Sequence, residues 1–193
     1  MGGFELAVDS AVHRREIGRF WRKVVRGPGT ACWYWTGAIG DDGYGNFSVR
    51  RPVLDGAGRP MMDLTRGRPL MREHMVSAPR YAVAASLGVT LTQRDVAEHA
   101  VCDEPICVRA HDGLVDGGLS HVVLSTQAEN LASMGRRGRG GGSPRPWGGL
   151  GHRAVRVARS RALREVVLMY GWDPVRMADA VAALEQRNQG RLF

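Results

Sequence analysis

Residues 95–131, DVAEHAVCDEPICVRAHDGLVDGGLSHVVLSTQAENL, hold two of the chain's three cysteines, three of its six histidines and one asparagine within a single short segment. The cysteines are spaced Cys102-x4-Cys107, with His99 upstream and His111 and His121 downstream. Soft thiolates beside imidazoles at this density are the ligand types of a zinc site, where buried free cysteines would otherwise read as small core residues. The order of elements around them is also informative. Val96 to Ala100 reads as a short strand ending on His99. A Cys/His loop follows, then His121-Val-Val-Leu-Ser-Thr reads as a second strand. Gln127-Ala-Glu-Asn-Leu-Ala-Ser-Met opens a helix, with Thr126 or Ser125 as its N-cap. The expectation is strand, metal-stapled loop, strand, helix.

Outward from this segment, composition sets the limits. A chain of 193 residues can bury one real core, or one core plus an appendage. Its net charge of +8 and isoelectric point near 10.4 point to a polyanionic partner, and Lys23 is the single lysine among 27 basic residues. Arginine's planar fork suits phosphate and guanine contacts. No apolar run approaches the roughly 20 residues of a membrane span. The start, MGGFELAVDS, has no basic stretch followed by a long apolar core, so a cytoplasmic protein is expected, in a bacterial or phage-infected cell. In that compartment clustered cysteines read as metal ligands before disulfides.

Along the chain, Ile17, Phe20, Trp21, Val24 and Val25 form a helical stripe over residues 10–25, with Ser10 as a candidate cap and Gly27-Pro-Gly as the stop. Ala31 to Ile39 and Tyr44 to Arg51 read as a hairpin turned at Gly40-Asp-Asp-Gly. In its second strand Phe47 and Val49 face a core, while Tyr44, Asn46, Ser48 and Arg50 share the other face, which is either an ordinary solvated face or a ribbon laid in a DNA major groove. Residues 52–76 are poorly patterned and fit either a further hairpin or a loop. Ser77 to Leu87 reads as a helix with Pro79 in its first turn and Gly88 past its end. Residues 136–151 form a basic Gly/Arg/Pro linker that includes Arg136, Arg137 and Arg139. Residues 152–193 read as a helical hairpin, its first helix carrying five arginines between Arg153 and Arg164 and its second an apolar stripe of Met177, Val181 and Leu184. This hairpin is an accessory DNA-binding arm, a basic tail packed on the core, or a homodimer contact through the stripe.

His99-x-x-Cys102-Asp-Glu-Pro-x-Cys107-Val followed by His121-Val-Val-Leu-Ser-Thr-Gln-Ala-Glu-Asn-Leu resembles the HNH endonucleases of phage and mobile elements, in the branch akin to the His-Cys box homing endonucleases. Upstream, Phe20-Trp21-x-Lys23-Val24, Cys32-Trp-Tyr-Trp-Thr-Gly-Ala and Gly43-Tyr44-Gly45-x-Phe47 resemble the N-terminal half of that family, so the likeness spans residues 17 to 135. It implies an α+β fold: a zinc-stapled ββα-metal nuclease core at 1–135 with an N-terminal helix and an antiparallel hairpin sheet, plus the C-terminal helical appendage. It further implies a metal-dependent DNA endonuclease. His99 would activate water and Asn130 would hold a catalytic Mg2+ or similar ion, while Cys32, Cys102, Cys107 and His121 would hold a structural zinc, with His111 as the alternative fourth ligand. Glu98 or Asp95, beside the base, could add a metal ligand. The last five residues, Gln189-Gly-Arg-Leu-Phe193, resemble the short peptides that dock in the bacterial sliding clamp.

Three departures stand against that pattern: His99 and Cys102 are separated by two residues rather than one, Arg109-Ala110 replaces Asn-Pro, and Ala110 to Ser120 is about ten residues longer than the family's loop. They support the alternative of a zinc-dependent DNA-binding protein that keeps the fold without the chemistry.

Overall fold

The computed structural model describes residues 4–111, 119–136 and 150–189, apart from the side chains of 150–152 and 187–189. The architecture is mixed α+β, and every described sheet is small and antiparallel. In chain order the elements are β1 (Leu6–Ala7), α1 (Arg14–Trp21), β2 (Val24–Arg26), β3 (Trp33–Trp35), β4 (Ala38–Ile39), β5 (Gly45–Pro52), β6 (Met62–Asp63), β7 (Arg68–Pro69), β8 (Met71–Ser77), α2 (Ala78–Leu87), β9 (Thr90–Leu91), β10 (Asp95–His99), β11 (Val122–Thr126), α3 (Gln127–Arg136), α4 (Leu150–Tyr170) and α5 (Pro174–Gln189).

The amphipathic N-terminal helix exists but stops at Trp21. Val24 and Val25, expected to extend its stripe, lie instead in β2 and pair with Trp35 and Tyr34. Two β-branched residues facing a strand of three aromatics gain more from cross-strand packing than from another helical turn. Ser10 is not the cap: Asp9 accepts the N–H groups of Ala11 and Val12, and His13 occupies the cap position with its Nδ1 turned back to accept the Asp9 N–H rather than capping the helix.

The expected strand Ala31–Ile39 is split at Thr36-Gly37. Its first part pairs with β2, and only Ala38 and Ile39 pair with β5. Trp35 explains the break. Its ring is fully buried between two glycines, and a Cβ on either Gly37 or Gly45 would stand 2.3 Å from a ring atom. The principal partner of β5 is β8, in register from Asn46↔Ser77 to Pro52↔Met71, and β6 and β7 form the further hairpin. Phe20, Trp35, Phe47 and Tyr81 interlock around the core with ring centroids 4.6–5.7 Å apart. Tyr81 donates its hydroxyl to Glu16, which also makes a two-pronged ion pair with Arg51.

The helix at α2 ends on Gly88 in the left-handed region, as expected. The C-terminal helices meet in a hairpin turned at Gly171 and pack against the rest of the chain. Leu163, Val167 and Met177 are buried in the common core, and Val181 packs against it. Of the apolar stripe, Met177 and Val181 are thus packed within the chain, and Leu184 is half-buried. Most of the α4 arginines are spent internally: Arg153 on Asp41, Arg159 on Glu104, and Arg164 on the carbonyls of Thr36 and Gly37. Arg137, Arg139 and the terminal stretch after Gln189 lie outside the described residues. Among the described residues no helix is long and apolar enough to cross a membrane.

Candidate metal centre and adjoining cleft

Three separate stretches converge on one point. Cys32 comes from the β2–β3 turn, where the Gly27 N–H bonds the Cys32 carbonyl at 3.0 Å. Gly27 is obligatory there, since a Cβ would stand 2.5 Å from that same carbonyl oxygen. Cys102 and Cys107 come from the loop after β10. Cys107 is held beside Tyr34 by an isolated bridge, with Trp35 N–H to Ile106 O and Val108 N–H to Trp33 O both at 2.8 Å. His121 enters just before β11, its N–H on Arg109 O and its carbonyl receiving the Ala100 N–H.

The Cys32, Cys102 and Cys107 sulfurs and one ring nitrogen of His121 all lie within 4.8 Å of one another, and could hold a metal ion such as zinc. The donor set fits. Tetrahedral zinc with Zn–S of about 2.3 Å and Zn–N of about 2.05 Å requires N···S edges of about 3.6 Å. His121 Nδ1 stands 3.3 Å from Cys32 Sγ and 3.7 Å from Cys107 Sγ. The protonation pattern agrees. Hydrogen bonding from Cys107 and Cys32 holds the Cys102 thiol well below its ordinary range. The hydrogen bond with Cys102 pushes Cys32 up to about 12, and burial pushes Cys107 up. Three thiols this close all ionise only against a cation. Of the two histidines open in the sequence, His121 belongs to the cluster. His111 instead meets Trp33 edge-on, with ring centroids 4.6 Å apart.

Arg109, where the resembled family has Asn-Pro, is 4% exposed and donates to the carbonyls of Gly29 and Ala31, both at 2.7 Å. It therefore ties the loop carrying Cys107 to the turn carrying Cys32. Sequence reading missed this role, although an arginine within the apolar run Ile106-Cys-Val-Arg-Ala was itself a signal that a buried charge needs partners.

Beside the metal centre, β10 and β11 pair from Asp95↔Thr126 to His99↔Val122, and α3 packs back on both strands. The helix starts at a reciprocal cap: the Thr126 N–H bonds Glu129 Oε2 at 2.8 Å, and the Glu129 N–H bonds Thr126 Oγ1 at 3.2 Å. This confirms Thr126 over Ser125. The arrangement brings His99 and Asn130 to the wall of one cleft of about 700 Å³, together with Tyr44, Arg80, Glu98, Asp103 and Arg156. The extra residue between His99 and Cys102 has not turned the histidine away from the cleft; His99 Nδ1 lies 3.7 Å from Cys102 Sγ. The Asn130 amide nitrogen contacts Met134 Sδ at 3.9 Å, leaving its oxygen as the donor a cation can use. Asp95 also lines the cleft, but its carboxylate is taken by the Thr92 hydroxyl and N–H, which hold its pKa down.

Of the residues expected on one ribbon face, Asn46, Ser48 and Arg50 alternate with the buried Phe47 and Val49 in β5 as expected, while Tyr44 precedes the strand. Tyr44 turns to the cleft. Asn46 sits between Ala38 and Ser77 in the middle of a sheet, Ser48 donates to Glu73, and Arg50 is exposed. Arg136 is exposed at the end of α3. The cleft arginines, Arg80 and Arg156, were not singled out from sequence, because neither belongs to a motif and both depend on long-range packing. No family model matches the chain, and no curated protein or solved structure matches it.

Proposed function

We propose that the protein is a metal-dependent DNA endonuclease of the HNH type, with a structural zinc at Cys32, Cys102, Cys107 and His121. The observation that carries this reading is the convergence of His99, at the end of β10, and Asn130, one turn into α3, on a single cleft beside the Cys/His cluster. His99 is the general base, taking a proton from water as it attacks phosphorus. The Asn130 oxygen, with the Glu98 and Asp103 carboxylates on the same wall, forms a set of hard oxygen donors suited to Mg2+. Such an ion, when bound, stabilises the charge that develops on the leaving oxygen. Zinc in the cluster has a folding role, because four protein ligands leave no open position.

A second reading, a zinc-dependent DNA-binding protein without catalysis, is favoured by one observation. Nε2 of His99 is buried and Nδ1 sits against the Cys102 sulfur, so a water reaches the ring only after the side chain shifts. Catalytic contacts often tighten only in the substrate complex. Supercoiled plasmid incubated with the zinc-loaded protein, with and without Mg2+, separates the two readings. Nicked or linear product that requires Mg2+ and disappears in His99→Ala supports the nuclease. No nicking in Mg2+ or Mn2+ on DNA that the protein binds supports the binding protein.

A further inference from the structure

We infer that Arg156, carried by α4, is the phosphate clamp of the cleft, gripping a nucleic-acid phosphodiester opposite His99. This rests on the reading of the cleft as the place where DNA is bound. The arginines near the cleft and along α4 differ in what they have left to offer. Arg80 spends both terminal nitrogens on the carbonyls of Asp95 and Thr92. Arg159 forks onto Glu104 and Arg153 onto Asp41, while Arg164 engages only Nε, on two carbonyls, and does not line the cleft. Arg156 does line it. Its Nε alone is engaged, on the Asp42 carbonyl at 2.6 Å, and its two terminal amino groups bond nothing among the described residues.

The guanidinium is also preorganised. It lies over the Tyr44 ring, 5.6 Å from the centroid, and that ring is in turn 6.0 Å from the His99 ring. A fork anchored at Nε and stacked on an aromatic face loses little rotamer freedom when its remaining donors close on two phosphate oxygens. The seat for it is built into the backbone. Gly43 has φ +87°, and a Cβ there would meet Arg156 Cγ at 3.0 Å and α4 backbone atoms at 3.2 Å. The 40–43 turn therefore lets α4 approach closely enough to deliver Arg156, and the C-terminal helices complete the cleft.

The test uses full-length, zinc-loaded protein and a short DNA duplex without divalent metal, with binding followed by fluorescence anisotropy across a salt series. Arg156→Ala is expected to bind about 10- to 100-fold more weakly, as loss of a charge-assisted hydrogen bond does. Its salt slope should fall by about 0.9, one phosphate's worth. Arg156→Lys, which keeps the charge, should keep the slope and, in a parallel plasmid assay with Mg2+, cleave at least about tenfold more slowly, because an ammonium cannot form the fork. Arg161→Ala, on a different flank of the same helix, should match the parent in both. Equal slopes for Arg156→Ala and the parent, or equal losses in Arg156→Ala and Arg161→Ala, would overturn the clamp. The binding arm is independent of chemistry. If the parent fails to nick DNA but Arg156→Ala still loses affinity and slope, the clamp stands and the nuclease reading falls.

Discussion

Three glycine-to-alanine substitutions isolate how closely α4 must lie to the 40–43 turn. Gly58 has φ +77° with nothing within 4 Å of an added Cβ, so Gly58→Ala carries only the left-handed conformational penalty, about 1–2 kcal/mol. Gly43 carries the same kind of penalty at φ +87° and a crowding cost besides. Two of its three close neighbours are helix backbone atoms, which cannot swing aside as a side-chain tip can. Overpacking of this kind costs about 1–3 kcal/mol, so Gly43→Ala should lose roughly 2–5 kcal/mol in total. Gly18 lies within α1 with open space around it, and Gly18→Ala should stabilise by about 0.5–1 kcal/mol. At about 2–4 °C per kcal/mol for a chain of this size, the melting midpoint should fall by roughly 4–20 °C, fall by roughly 2–8 °C and rise by about 1–4 °C for Gly43, Gly58 and Gly18 respectively. Thermal unfolding followed by circular dichroism, with zinc held constant, reads all three. A Gly43→Ala protein no less stable than Gly58→Ala would show that α4 does not bear on the turn, and would refute the close approach on which Arg156 depends.

Purified protein should carry one zinc per chain. Cys32→Ser and His121→Ala should release it and unfold the β10–β11 finger, since a structural zinc contributes about 10–16 kcal/mol of apparent binding energy; His111→Ala should retain it, and loss of zinc from His111→Ala alone would reassign the fourth ligand. His99→Ala should bind zinc and DNA like the parent but nick on the order of 10² to 10⁴ more slowly, whereas Asn130→Ala should raise the Mg2+ concentration needed for half-maximal nicking; unchanged rates in both would remove them from the chemistry. Glu129 has its pKa lowered, chiefly by the Thr126 backbone N–H, so its cap on α3 is fully present above the ordinary glutamate value near 4.5 and is lost as pH falls through the lower folded value. Glu129→Gln should flatten that acid-side change in α3 helicity, and an identical pH profile in parent and variant would show that the cap contributes nothing.

The finger was legible in the sequence because its determinants are local. The Cys102-x4-Cys107 spacing, the Thr126-x-x-Glu129 cap and the strand pattern on either side of the loop each act over a few residues, and the structure joins them as expected. Cys32 lies far from the loop in sequence, and its part in the cluster was implied only by resemblance. Helix and strand signals misled where tertiary pairing overrode local pattern. Val24 and Val25 continue a helical stripe in sequence, but their registered partners are Tyr34 and Trp35. Arg109 was invisible as a functional residue and Arg156 was legible only as one of five α4 arginines in a candidate DNA-binding arm, because an arginine's role depends on which carbonyls or rings the fold places around it, and these two find theirs about 80 and 114 residues away.

The division between a nuclease domain and a helical appendage also changes meaning on the structure. Arg164 bonds the Thr36 and Gly37 carbonyls, in the break that seats Trp35, and Arg159 pairs with Glu104, between the two loop cysteines. The C-terminal helices thus touch the sheet, the metal loop and the cleft at once, through cations that in an isolated arm would have been open to phosphate. Three of the five α4 arginines, Arg153, Arg159 and Arg164, are consumed in holding α4 to the body of the protein. What remains for a polyanion at the cleft is concentrated near the two terminal amino groups of half-buried Arg156. On this account affinity for DNA should depend less on the +8 total than on the integrity of the α4 seat, and a change that loosens that seat should cost more binding than the removal of an exposed arginine elsewhere.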